Sequence, residues 1–248
     1  MIGDDGSDDH LRLRSRHRRA GFASCRRSAA SVERHPQRGT LSEPALRVCR
    51  ALLGLMALTA IGYDVAAGPG VSDGDYFSYF TVLSNLFAAA MLLHGALGLA
   101  HARSRTVELL RGAAVVYILT TGIVYLVLLS GQAPAYPWVN AILHYLMPVA
   151  LTVDWLLDPP RVRLDPARTV VLWMAFPLLY IIYTLARGAI VDWYPYLFVN
   201  PHRSGGYLLV AGDCLAVGIG IAALIATTTW AGNRRGDTLC QQLLSPGT

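Results

Sequence analysis

The stretch LLRGAAVVYILTTGIVYLVLLS, Leu109–Ser130, decides the fold. After Arg111 it carries no charge, and a bilayer core takes about 20 apolar residues per helix. Five further runs flank it: Ala45–Ala66, Tyr76–Leu99, Pro137–Leu157, Thr169–Ala186 and Gly205–Thr229. The pattern predicts an all-α polytopic membrane protein, a bundle of six transmembrane helices. Composition agrees: the 248 residues are 54% hydrophobic and 15% charged, where a soluble domain carries about 25% charge. Mean hydropathy is +0.41. Five Trp and twelve Tyr suit two interfacial belts.

Arginine sets the expected orientation. All 21 basic residues are Arg. Eleven lie in residues 1–50, three at Arg103, Arg105 and Arg111, three at Arg161, Arg163 and Arg168, and two at Arg234 and Arg235. These 19 share one side, and only Arg187 and Arg203 fall on the other. Positive residues stay cytoplasmic, so both termini are expected inside, in a cell membrane crossed several times. Located this way, the net charge of +5 does not point to nucleic acid. Membrane lipid is the expected partner, and oligomeric state is not legible.

Residues 1–44 read as a disordered Arg-rich cytoplasmic tail, 45–230 as the membrane domain and 231–248 as a C-terminal tail. Neither a twin-Arg signal nor a lipoprotein site at Cys25 fits, because no apolar run adjoins them. The four scattered cysteines predict no disulfide. The aromatic, Pro-broken segment DWYPYLFVNPHRSGGY, Asp192–Tyr207, reads either as a lid over the bundle or as an aromatic belt.

Polar residues inside the runs gather at one depth. Counting inward at about 1.5 Å per residue, Thr81, His144 and Asp213 lie about 8–12 Å below the outer boundary. Asp64 and Arg187 cap their spans near the same face. The inner half holds His94 and Asp154, close enough to the cytoplasmic end to snorkel. Thr81 opens a small-polar face continued by Ser84 and Asn85. Ser and Thr commonly bond between membrane helices, and a lone His commonly bonds a neighbour, so a structural role stays open for each. Arg187 is the candidate ion-pair partner of Asp213. No metal or cofactor is expected: His94 sits too deep to share a haem with His144, and no Cys/His spacing suits zinc. A two-aspartate protease fits poorly, with Val210 where its motif needs glycine and Asp64 near the membrane edge.

Three stretches carry a resemblance: YFSYFTVLSNLFAA (Tyr76–Ala89), NAILHYLMPVALTVDWLL (Asn140–Leu157) and YTLARGAIVDWYPYLFVNPHRSGGY (Tyr183–Tyr207). Together they resemble the bacterial "Pr-six-Pr" integral membrane proteins over about residues 45–230. That group is similar in turn to the animal androgen-induced membrane proteins, intramembrane hydrolases of fatty acid esters of hydroxy fatty acids. The resemblance implies a threonine nucleophile at Thr81 and a histidine at His144. The chain departs from the pattern at Asn200, where an acidic residue is expected. The implied chemistry is ester hydrolysis, with His144 as base. Position along the spans makes Asn85 the candidate oxyanion donor, Asp213 the residue to orient the imidazole and Arg187 the one to hold an anionic end of a lipid-ester substrate. A transporter or channel using the same polar cluster as a vestibule, and a non-catalytic membrane scaffold, are the alternatives.

Overall fold

The structure is a computed structural model that describes residues 43–68, 70–98, 104–131, 134–202 and 205–244. Expectations for the N-terminal tail fall almost wholly outside these. Among the described residues the chain is helical throughout, without a strand. Its elements are α1 (Glu43–Ala67), α2 (Asp73–Tyr76), α3 (Phe80–Ala96), α4 (Arg105–Leu129), α5 (Pro137–Leu157), α6 (Pro166–Val191), a 3-10 turn (Leu197–Val199) and α7 (Tyr207–Leu244). The bundle lies within Leu41–Asn233, one compact unit, and the end of α7 from Arg234 belongs to a second.

Five helices are long and apolar enough to cross a membrane, namely α1, α4, α5, α6 and α7. The second apolar run is broken instead: α2 ends at Tyr76, and the 17-residue α3 begins at Phe80. The last helix also departs from the reading. It does not stop at Thr229 but continues to Leu244, because hydropathy falls there without any Gly–Pro break before Pro246. Cys240 is disulfide-bonded, contrary to expectation; scatter along the chain says nothing about proximity in space.

Helix α4 is the centre. Of its apolar window 61% is buried, against 17–33% in the other four long helices. Ala114, Val116 and Ile118 pack against Ala88 and Ala89 of α3 and Met147 and Leu151 of α5. Gly112 lets the buried Trp173 and Trp155 rings approach α4, since a Cβ there would clash with the Trp173 ring. Outward-facing Leu208, Ile190, Leu215 and Ile219 are more than half exposed, as lipid-facing residues are.

One end of the bundle is closed by charge. Arg50 of α1 donates to Asp154 of α5 and to Asp158, the residue capping its end, both at 2.6 Å. Arg111 of α4 reaches Glu108 at 3.0 Å and Asp154 at 3.1 Å, and its guanidinium lies 5.6 Å from the Trp155 ring centroid. Glu108 is fully buried. Asp154 is thus paired within the bundle. Its partners stand on other helices, 43 and 104 residues away, and depth counting along one run does not see them.

Candidate functional site

Thr81 is the second residue of α3, and the start of that helix is held by hydroxyls. Its N-cap, Tyr79, gives no side-chain cap, so the orphan N–H groups need other acceptors. The Phe80 N–H donates to the Tyr180 Oη of α6 at 3.2 Å, and the Thr81 N–H to the Tyr196 Oη at 3.3 Å. Tyr180 donates its own proton to the Ser78 carbonyl at 2.9 Å. Ser78 Oγ donates to the Gly74 carbonyl at 2.6 Å and lies 2.9 Å from Tyr183 Oη. This network stabilises the break between α2 and α3 and sets Thr81 at a helix N-terminus, where the backbone dipole favours negative charge.

Thr81 Oγ1 lies 3.3 Å from His144 Nε2. Across the ring, Nδ1 lies 3.3 Å from the Asn140 carbonyl. A carbonyl only accepts, so in this contact Nδ1 carries the proton and a neutral imidazole keeps Nε2 free to accept from Thr81. The separation is long for a hydrogen bond, and such contacts tighten when substrate binds. The ring leans on Tyr125, centroids 4.2 Å apart, and the Tyr125 hydroxyl accepts from Asn140 Nδ2 at 2.9 Å.

Local sequence explains how His144 is presented. It stands in a π-helical segment, Ile142–Leu146, within α5. Pro148 lacks the N–H that the His144 carbonyl takes in an α-helix, and π segments recur at functional sites. Gly122 of α4 faces this point: a Cβ there would lie 2.9 Å from Pro148 Cγ and 3.0 Å from the His144 carbonyl oxygen.

The other expected site residues stand elsewhere. Asn85 is fully buried, and its two N–H bonds go to the Thr81 carbonyl at 2.9 Å and the Leu143 carbonyl at 3.3 Å. It ties α3 to the π segment and has no proton left for an oxyanion. Arg187 does not meet Asp213. It donates to Asp75 of α2 at 2.6 Å, with its guanidinium 5.2 Å from the Trp193 ring centroid. Among the described residues no hydrogen bond or ion pair joins Asp213 to His144, whose Nδ1 is turned to the backbone of its own helix. A shared depth placed Asp213 and His144 at one height but not on facing sides. Asn200 accepts from the His202 N–H at 2.9 Å, a turn contact.

Two cavities meet at Thr81. A vestibule of about 500 Å³ contains His144, Asn140 and several tyrosines in its wall. An apolar cavity of about 110 Å³ runs between α4, α6 and α7 past Met174, Val217 and Ile221. Thr81, Leu129 and Tyr196 belong to both. Tyr196 comes from the aromatic segment, which folds over the bundle: Tyr79 and Tyr196 make an edge contact at 5.6 Å, and Val199 is 2% exposed. Gly188 leaves room for Tyr194 of the same segment, since a Cβ there would overlap that ring. Sequence reasoning missed Tyr180 and Tyr196. Both lie in or beside the stretches already quoted, but nothing in the chain marks which tyrosine turns its hydroxyl inward.

No family model, curated protein or solved structure matches the chain.

Proposed function

We propose that this chain is an intramembrane hydrolase of lipid esters, with Thr81 as nucleophile and His144 as base. The observation that carries the reading is the Thr81 Oγ1–His144 Nε2 contact of 3.3 Å at the junction of an apolar cavity and a polar vestibule. The apolar cavity accepts the acyl chain, and the vestibule accepts the alcohol half and then water. The resemblance to the "Pr-six-Pr" proteins and, through them, to the androgen-induced hydrolases points the same way.

In this reading α3 is a sixth crossing. Its 17 residues rise about 25 Å at 1.5 Å each. With both termini cytoplasmic, Thr81 opens toward the outer face of the cell membrane.

His144 Nε2 takes the hydroxyl proton as Thr81 Oγ1 bonds the ester carbonyl carbon. The carbonyl π pair moves to oxygen, and the oxyanion forms beside the start of α3. Tyr196 Oη accepts the Thr81 N–H and keeps its own proton to donate there. The intermediate collapses, the C–O bond to the alcohol breaks, and that oxygen takes the proton from His144. Water from the vestibule then attacks the acyl-threonine ester, giving its proton to His144. Collapse releases the carboxylic acid and returns that proton to Thr81. No external donor or acceptor is needed.

Packing below the dyad favours hydrolysis over transport. Ser84 bonds Thr121 at 2.7 Å, Ala88, Val116 and Met147 are fully buried, and the charge network closes the far end.

The test is turnover of lipid esters by the purified protein in detergent. Wild type is expected to release fatty acid, with Thr81→Ala and His144→Phe inactive and Thr81→Ser retaining activity. Full turnover in Thr81→Ala overturns the proposal.

A further inference from the structure

The vestibule carries a chemistry that the dyad does not explain. Six tyrosines line it, and the face of Tyr125 is already taken by His144. Tyr76, Tyr79, Tyr136, Tyr194 and Tyr196, the last with one face stacked on Phe198, share the wall with the carboxylate of Asp64 at the end of α1. Among the described wall residues Asp64 is the one with a formal charge. Asp64 is half-buried, and no described cation forms an ion pair with it. Arg187 is committed to Asp75 at 2.6 Å and does not line the cavity. Tyr76 is 4% exposed, and its hydroxyl stands beside the Asp64 carboxylate. The wall thus joins a carboxylate that no described cation pairs, a buried hydroxyl beside it and several aromatic rings.

We infer that the vestibule binds a quaternary ammonium group carried by the alcohol half of the substrate. Aromatic rings and a carboxylate recognise such a cation without needing a donor from it, and an anionic hydroxy-acid leaving group finds no positive residue among the described ones of the wall. The inference rests on the hydrolase reading for the word substrate, but the cation site stands or falls by itself. The ammonium can arrive as a phosphocholine lipid headgroup or as a free choline ester.

The test is calorimetric titration of the full-length protein in maltoside micelles with tetramethylammonium. Saturable binding is expected, weakened about tenfold or more in Asp64→Asn. The uncharged tert-butyl isostere of choline is expected to give no saturable binding. Tighter binding of a short-chain phosphocholine than of choline assigns the ammonium to a lipid, and the reverse assigns it to a free ester; both uphold the site. If Asp64→Asn fails to fold, Tyr136→Leu is read instead, with the same expected weakening. Equal binding of cation and isostere, or wild-type affinity in the folded variant, overturns the inference. Such a result with Thr81-dependent turnover intact removes the cation site and leaves the hydrolase standing. Tetramethylammonium binding without turnover does the reverse.

Discussion

At the scale of the residue, the account turns on how few groups hold Thr81. Its side chain faces His144, its N–H is taken by Tyr196 and its carbonyl by Asn85. Tyr196→Phe leaves the N–H without that acceptor, an unmade buried bond worth about 1–3 kcal/mol. The expected outcome is a lower Tm and a fall in kcat at unchanged KM, measured by thermal unfolding and steady-state turnover. A second residue-scale effect lies at the rim. The Arg187 guanidinium hydrogen-bonds Asp75 and, with Ser72, holds its carboxyl below the usual carboxylate range. Because the folded value is depressed, the pair stabilises the protein above the ordinary value of about 3.9 and stops doing so as pH falls through the folded value. Arg187→Gln is therefore expected to lower Tm at neutral pH, with the gap to wild type closing under strong acid in a pH series. Of these contacts the sequence made Thr81 and His144 legible, because a polar group inside an apolar run stands out. The tyrosines did not stand out, since aromatic residues at an interface are ordinary.

At the scale of the element, three local departures from regular helix build the site. The break at Phe77–Tyr79 makes Thr81 a helix-start residue, the π segment at Ile142–Leu146 presents His144, and Gly122 lets α4 pass close to both His144 and Pro148. Apolar runs reveal that a segment crosses lipid, so α1, α4, α5, α6 and α7 were readable. They do not reveal where a helix starts again within a run, which is why the second span was read as unbroken from Tyr76. Gly122→Ala tests the close approach. The added methyl meets the His144 carbonyl and Pro148, overpacking that costs about 1–3 kcal/mol. The expected result is a moderate loss of Tm with a disproportionate loss of turnover, because the helix that moves carries His144.

At the scale of the whole molecule, the two ends of the bundle do different work. Arg50 and Arg111 were read from the sequence as topology signals. In the structure they are 5% and 7% exposed and paired to acids on neighbouring helices. The arginine bias thus mixes two causes, and only the exposed residues report on orientation. Breaking such a network by removing one partner strands the others, at about 3–5 kcal/mol. Arg111→Ala is expected to lose folded protein on size exclusion in detergent, while Arg105→Ala, at the exposed start of α4, leaves it unchanged. The opposite end trades stability for openness, with cavities where the core is elsewhere filled. The central claim is that the hydroxyl at their junction is acylated. Peptide mass mapping after reaction with a lipid fluorophosphonate tests it most directly. The account predicts a single adduct on Thr81, abolished in Thr81→Ala and strongly reduced in His144→Phe. An adduct on another residue that persists in Thr81→Ala contradicts it.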